Sequence, residues 1–423
     1  MSSMKVFKFG GASVKSALAV QNVAEILNRY REDKILIVIS AMAKTTNALE
    51  KLLQAYLNNS SDKMQIFEEV KTFHFQILTE LISTNNLLAI PDLQNHFDAL
   101  KTKLDSKSDG SEAKEYAQIV SYGEVFSTVI VYHYLKENNF NCAWKQAGDY
   151  IITDNNYKEA NVDWVKSPER IQSQLLPVFE EFDLVITQGF IAKTEQGTVS
   201  TLGREGSDYS AAIFAYGLNA EDLTIWKDVP GLLNADPKYF ENTQKIDCIS
   251  YRETIELAYY GASIIHPKTI QPLQNKDIPL YIKSFVDPSA EGSKIQSGTY
   301  ADLLIPSYIF KKEQVLISIS ARDFSFIAEH HLSYIFNKMT DYGLKVNLMQ
   351  NSAISFSLCM DNKGKTMLAF IDELQKDFKV KYNEYMELIT IRHYNQEIIN
   401  DLIGDRKVYL EQKNRTTVQL LVR

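Results

Sequence analysis

Lys5-Val-Phe-Lys-Phe-Gly-Gly-Ala-Ser-Val14 reads as a strand that runs straight into two adjacent glycines, with a basic side chain, Lys8, two residues ahead of the turn. Paired glycines let backbone N–H groups come close to an anion with no Cβ in the way, and Ala17 to Tyr30 has the apolar spacing of an amphipathic helix whose positive end faces the same point. Strand, turn, helix N-terminus and cation are the parts of a phosphate cradle. The stretch is not a dinucleotide fingerprint, because a third glycine is missing, nor a Walker A loop, because no Gly-Lys-Ser/Thr follows. Alone, such a stretch is more often a plain tight turn.

Two further segments carry charge at turns. In Thr201-Leu-Gly-Arg-Glu-Gly-Ser-Asp-Tyr-Ser-Ala-Ala212 the glycines at 203 and 206 permit sharp turns, and Ser207 reads as the N-cap of a helix running to Tyr216. Arg204 and Asp208 then place opposite charges beside the helix start, which suits phosphoryl transfer but also describes a capped helix with a surface ion pair. In Leu223-Thr-Ile-Trp-Lys-Asp-Val-Pro-Gly-Leu-Leu-Asn-Ala-Asp-Pro-Lys238 an apolar strand ends at Lys227 and Asp228, turns at Pro230-Gly231 and continues into a loop with Asp236 and Lys238. Strand ends of this kind hold nucleotides in open α/β sheets and also serve as ordinary connectors.

Taken together, and with Ser40-Ala-Met-Ala-Lys-Thr-Thr-Asn47, Ser121-Tyr-Gly-Glu-Val-Phe-Ser127 and Gly261-Ala-Ser-Ile-Ile-His-Pro-Lys-Thr269, these segments resemble the aspartate kinases of the amino acid kinase family over nearly the whole chain. The Ser-x-Gly-Glu and Gly-Arg-x-Gly-Ser-Asp segments are specific to that branch. The resemblance implies an α/β fold, a three-layer αβα sandwich of the amino acid kinase type, followed by α+β ferredoxin-like domains of the ACT type.

Composition narrows the class independently. A chain of 423 residues, 45% hydrophobic, exceeds one core and can fill two or three. Net charge is −8 and no block of Lys and Arg is long enough to track a phosphate backbone, which speaks against nucleic acid as a partner. Cys142, Cys248 and Cys359 lie in unrelated segments without metal or disulfide spacing, as in a reducing compartment. No run approaches eighteen apolar residues, so no membrane partner is expected, and the first strand begins near Met4, leaving no room for a signal peptide. A cytoplasmic protein is expected. The histidines lack zinc spacing, and the adjacent His330 and His331 sit in a helical stretch on different faces.

From Met4 to about Phe285, strands alternate with helices, the pattern of a mainly parallel sheet covered on both faces. Ile35–Ala41, Leu184–Gln188, Leu223–Lys227 and Pro279–Ser284 are its apolar strands, and Asn47–Leu104 is a helical insertion over the substrate site or at a subunit contact. Asp287–Tyr300 reads as a linker. Beyond it comes a βαββαβ unit, from Val315 to Tyr385, and then a second that starts at Leu388 and lacks its final helix and strand. The domain boundaries read as 1–290, 310–385 and 386–423. The tandem units resemble ACT domains, and with edge strands to cover they imply a homodimer or higher homo-oligomer formed after Val315. Asn347 stands where many lysine-sensitive relatives carry an acidic residue, and Asn351-Ser-Ala353 where they carry Thr-Ser-Glu, so an effector's ammonium would lose a carboxylate partner.

The resemblance also implies roles. Lys8 would bridge the transferring phosphoryl group, Gly10, Gly11 and Ser13 would cradle its oxygens, and Asp208 would orient Lys8. Arg204 would clamp the α-carboxylate of L-aspartate and Glu124 its ammonium, with Ser40, Thr45, Thr46 and Ser207 completing the pocket. ATP with Mg2+, the metal held by phosphates and water rather than by a protein cage, would meet Lys227, Asp228, Leu233, Asp236, Lys238 and Ser263. Three of these depart from the family pattern: Lys227 for Thr, Leu233 for Tyr and Ser263 for Lys. Lys227 on the facing loop would resupply the charge lost at Ser263, with Lys268 as the other source. The implied reaction is phosphorylation of the β-carboxylate to 4-phospho-L-aspartate, the first step of lysine, threonine and methionine formation, by a monofunctional enzyme. The alternatives are a kinase for glutamate or an N-acetylated amino acid, against which Glu124 argues, and a silent amino acid sensor, against which Lys8, Arg204 and Asp208 argue.

Overall fold

The computed structural model describes residues 3–82, 88–108, 110–262, 265–298, 305–323 and 325–423. They form two compact units. One comprises Met1–Leu232, Lys245–Ile255 and Ile265–Thr299, and the other Leu233–Gln244, Glu256–Ile264 and Tyr300–Arg423.

The first unit is built on an eight-stranded sheet. In chain order its strands are β1 (Met4–Phe9), β2 (Lys34–Ile39), β3 (Cys142–Trp144), β4 (Leu184–Gln188), β5 (Asp222–Lys227), β6 (Cys248–Ser250), β7 (Leu280–Ser284) and β8 (Ser293–Gln296). Their spatial order is β6-β8-β7-β5-β1-β2-β4-β3, parallel throughout except for the β7–β8 pair. Residues 35–39 of β2 and all of β4 are buried, as strands covered on both faces are; β2 is apolar throughout that stretch, and β4 is apolar from Leu184 to Ile186 before the buried polar Thr187 and Gln188. The covering helices are α1 (Ala17–Asn28), α2 (Thr45–Leu57), α3 (Lys63–Leu81), α4 (Ala89–Asp105), α5 (Glu112–Val120), α6 (Tyr122–Glu137), α7 (Gly206–Leu218) and α8 (Pro267–Asn275). The insertion between 47 and 104 is helical as expected, and Leu49, Leu52, Phe67, Leu93 and Phe97 from it join the same apolar core as β1 and β2. The stretch read as a linker, 287–300, instead contains β8, whose Ile295 is fully buried in the sheet.

Register brings the strand ends into line. Phe9 of β1 lies opposite Ile39 of β2 and Trp226 of β5, and Ile39 lies opposite Gln188 of β4. The turns that follow, at Gly10-Gly11, Ser40-Ala41, Gly189-Phe190 and from Asp228 after the last strand residue Lys227, therefore emerge side by side at the carboxyl edge, where open parallel sheets bind ligands.

The second unit carries a six-stranded antiparallel sheet. Its elements are β9 (Ser307–Ser320), α9 (Glu329–Asp341), β10 (Val346–Asn351), β11 (Phe356–Asp361), α10 (Lys365–Leu374), β12 (Lys379–Arg392), α11 (Gln396–Ile403), β13 (Val408–Lys413) and β14 (Thr417–Val422). The spatial order is β10-β11-β9-β12-β14-β13. The separate strands expected at 380–385 and 388–392 are one strand, β12, with Tyr385 at φ 58°, and β9 has its own irregularity at Glu313, φ 54°. Each long strand thus serves two βαβ-type halves. The strand that the second half was expected to lack is supplied by the first residues of β9: Ser307–Lys311 pair with Arg392–Leu388. Antiparallel pairing does not require the chain order that reading along the sequence assumes. His331 has a structural role, its Nδ1 accepting the Ala328 amide at 3.1 Å, although the His330 and His331 rings touch rather than diverge.

Candidate active site

Above the aligned strand ends lies a cleft of about 520 Å3 whose walls include Lys8, Gly11, Ser40, Thr46, Glu124 and the run Gly203–Asp208. Lys8 reaches it from the end of β1, and Asp208 from the first turn of α7. The two meet at 2.6 Å, Nζ to Oδ1, with side chains only 11% and 7% exposed. Two opposite charges withdrawn this far from water hold each other in place, and removing either strands the other.

Glycine is required on the floor for close approach. A Cβ on Gly11 would lie 2.6 Å from the Ala41 carbonyl oxygen, and one on Gly189 would lie 2.4 Å from the Ser207 Cβ. The turn after β1 and the turn after β2 thus touch backbone to backbone, which the double glycine of the opening motif allows. Ser13 sits in the following 3-10 turn, its amide donating to the Gly10 carbonyl at 2.9 Å and its buried hydroxyl to the Trp226 carbonyl at 3.4 Å. That contact ties the glycine turn to the end of β5, where Lys227 is half-buried and Asp228 exposed.

Glu124 enters from the first turn of α6 and is 4% exposed; its Oε2 finds no protein partner among the described residues. Burial pushes its carboxyl up to about 8, against backbone hydrogen bonds at Ala41 and Glu124 and the Lys8 charge, which pull it down. A buried carboxylate with an open oxygen in a cleft is arranged for a cation. Arg204 lies exposed at the same cleft, and Ser207 is nearly buried in its wall.

Several placements differ from the sequence reading. The N-cap of α7 is Glu205, in left-handed backbone, and Ser207 falls inside the helix. The Thr45 hydroxyl donates to the Met42 carbonyl at 2.7 Å and is buried, so Thr46 supplies the cleft face instead. Leu233, Asp236 and Lys238 belong to a segment of the second unit, with the Asp236 carboxylate accepting the Lys238 amide at 2.9 Å. Ser263 lies outside the described residues.

Glu50, Tyr116, Lys158 and Phe190 also line the cleft, beyond the residues expected from the sequence. Tyr116 donates to Glu50 at 3.0 Å, its hydroxyl held protonated by burial and by that carboxylate, while Lys158 stacks 4.6 Å over its ring. These come from helices and a loop with no motif of their own. Phe190 alone had a signal, a glycine directly after an apolar strand.

The residues 3–284 match the model of the amino acid kinase family, and the chain belongs to that family. The sheet and cleft are those of a phosphoryl-transfer fold that uses nucleotides. Within the family it belongs with the aspartokinases. It is 30% identical over 370 residues to lysine-sensitive aspartokinase 3 of Escherichia coli (strain K12), covering 86% of this chain and 80% of that one. It is 26% identical over 440 residues to aspartokinase 2, chloroplastic, of Arabidopsis thaliana, covering 98% and 78%. Against the bifunctional aspartokinase/homoserine dehydrogenase of Buchnera aphidicola it spans 47% of the partner, at 30% identity over 89% of this chain. The crystal structure of Escherichia coli aspartokinase III with lysine and aspartate superposes with a TM-score of 0.85 at 26% identity, covering 100% of this chain and 96% of that one. The same enzyme with aspartate and ADP gives 0.80 at 26% identity, covering 99% and 96%. No helix among the described residues is long and apolar enough to cross a membrane.

Proposed function

We propose that this chain transfers the γ-phosphoryl group of ATP to the β-carboxylate of L-aspartate, giving 4-phospho-L-aspartate and ADP, the step that opens lysine, threonine and methionine biosynthesis. The observation that carries the reading is the buried Lys8–Asp208 pair at 2.6 Å beside a glycine turn, in one cleft with Glu124 and Arg204. Phosphoryl transfer asks for alignment and charge neutralisation rather than covalent help. Lys8, fixed by Asp208, neutralises charge on the transferring group, and the Gly10-Gly11 turn with Ser13 offers backbone amides and a hydroxyl to its oxygens. Arg204 takes the α-carboxylate of the acceptor and Glu124 its ammonium, so the β-carboxylate faces the phosphate. Its oxygen bonds to Pγ as the bond from Pγ to the ADP oxygen breaks. The acceptor's β-carboxylate is already ionised at neutral pH, so the transfer step itself moves no proton.

Mg2+ enters with the nucleotide, held by phosphates and water; among the described residues no group of three or more His, Cys, Asp or Glu is gathered that would compete for it. Lys227 and Asp228 extend the nucleotide side of the site. The domains of the proposal are 1–290 for catalysis and 310–385 with 386–423 for an ACT-like regulatory region through which two copies pair, and the setting is the cytoplasm. A coupled ADP-release assay with L-aspartate, L-glutamate and N-acetyl-L-glutamate tests the reading. Turnover with aspartate alone supports it, and turnover only with an acylated amino acid, where Glu124 has no charge to pair with, refutes it.

A further inference from the structure

Glu205 occupies backbone at φ 55° and ψ 25°, the left-handed region that glycine enters freely and that other side chains enter at a cost. Its side chain is committed. Oε2 accepts the backbone N–H of His266 at 3.0 Å. His266 is the N-cap of α8: it is extended ahead of Pro267, and its ring Nδ1 accepts the Lys268 amide at 3.2 Å. Glu205 also caps α7 from its own main chain, its carbonyl accepting the Asp208 and Tyr209 amides at 3.1 and 3.2 Å. Glu205 therefore joins the starts of two helices, α7 through its backbone carbonyl and α8 through its carboxylate, and the positive end of α8 favours that anion. It does so from the backbone position between Arg204 and the Gly206-Ser207-Asp208 turn.

A glycine here would relieve the backbone and could make no such bond. Strain that persists at a functional turn points to a task for the side chain. We propose that Glu205 is a positioning residue: its bond to the His266 amide latches the loop that carries Arg204 and thereby sets the affinity for the amino acid acceptor. The inference rests on the function proposed above.

Three variants separate latch from strain. Glu205→Gly removes both, Glu205→Ala removes the latch and keeps the strain, and Glu205→Gln keeps an acceptor for the amide. The aspartate Kd by calorimetry, and KM with it, is expected to rise about threefold to tenfold in the Gly and Ala variants, the range of one lost hydrogen bond. Their kcat and KM for ATP should change less than about twofold, and Glu205→Gln should stay within about twofold of the parent chain. The melting temperature of Glu205→Gly should not fall. Unchanged aspartate affinity in the Gly and Ala variants overturns the latch. So does a Gln variant that behaves like Ala, or a parallel rise of both KM values with a lower melting temperature in Glu205→Gly. A parent chain that does not turn over aspartate refutes the proposed function instead, so the two failures are told apart.

Discussion

At the residue scale, the chemistry rests on two buried ionisable groups with different partners. Lys8 has Asp208 at 2.6 Å, whereas the open oxygen of Glu124 faces a cleft. Replacing Lys8 by Ala should lower kcat by about a hundredfold to a thousandfold, the size of one lost transition-state contact, while KM for either substrate moves far less. A loss confined to KM in steady-state kinetics would mean that Lys8 only binds. Glu124 makes a pH prediction. Its carboxyl, raised to about 8 by burial, is protonated in the empty site at neutral pH and must ionise to pair with the acceptor's ammonium. Aspartate affinity should therefore strengthen as pH rises toward about 8, by up to roughly tenfold per unit, and binding below that pH should release a proton. Calorimetry in buffers of different ionisation enthalpy reads the proton directly, and Glu124→Gln should lose both the affinity and its pH dependence.

At the level of single elements, two packing features can be tested. The β1 turn touches the β2 turn so closely that a Cβ on Gly11 would sit 2.6 Å from the Ala41 carbonyl. Because the obstacle is backbone, Gly11→Ala should cost about 1–3 kcal/mol in urea unfolding and reduce activity with it. An unchanged midpoint would show that the two turns yield. In α3, His74 is fully buried among Phe73, Phe97 and Phe126, its Nδ1 2.7 Å from the Val70 carbonyl, and burial lowers its pKa to about 4. A base depressed on folding is neutral in both states above about 6.5; below that the unfolded chain takes up a proton that the folded chain refuses. Stability should thus fall between pH 6.5 and about 4, by no more than about 3 kcal/mol from this group. His74→Phe should flatten that acid slope in pH-dependent denaturation, and a slope equal to the parent's would place the titration elsewhere.

At the scale of the whole molecule, the consequence lies in the six-stranded sheet. Ser307–Lys311 pair with Leu388–Arg392, so the first residues of β9 belong to the last half of the sheet. Ending the chain at Tyr385, which the strand count along the sequence would suggest is harmless, would leave that segment without its neighbour and, by removing Ile389, Ile391, Val418 and Leu420, uncover Tyr308 and Phe310, which pack against them. A chain truncated there should be insoluble or melt without cooperativity by circular dichroism; a soluble, cooperative product would show that the first half folds alone.

Composition and local pattern were enough for the alternating β and α order, the parallel sheet and the glycine turn at its edge, because periodic burial and turn chemistry are local properties. Lys8, Arg204, Asp208 and Glu124 were legible because each sits in a short motif. Whatever depends on pairing across distance came from the folded chain alone. Asp208 meets Lys8 two hundred positions away, Thr46 rather than Thr45 faces the cleft, Glu205 caps α7 in place of Ser207, and Ser307–Lys311 complete a sheet half that follows them in the chain. Register, close approach and strand exchange are settled by packing among residues far apart in the chain, and no window of neighbouring residues contains them.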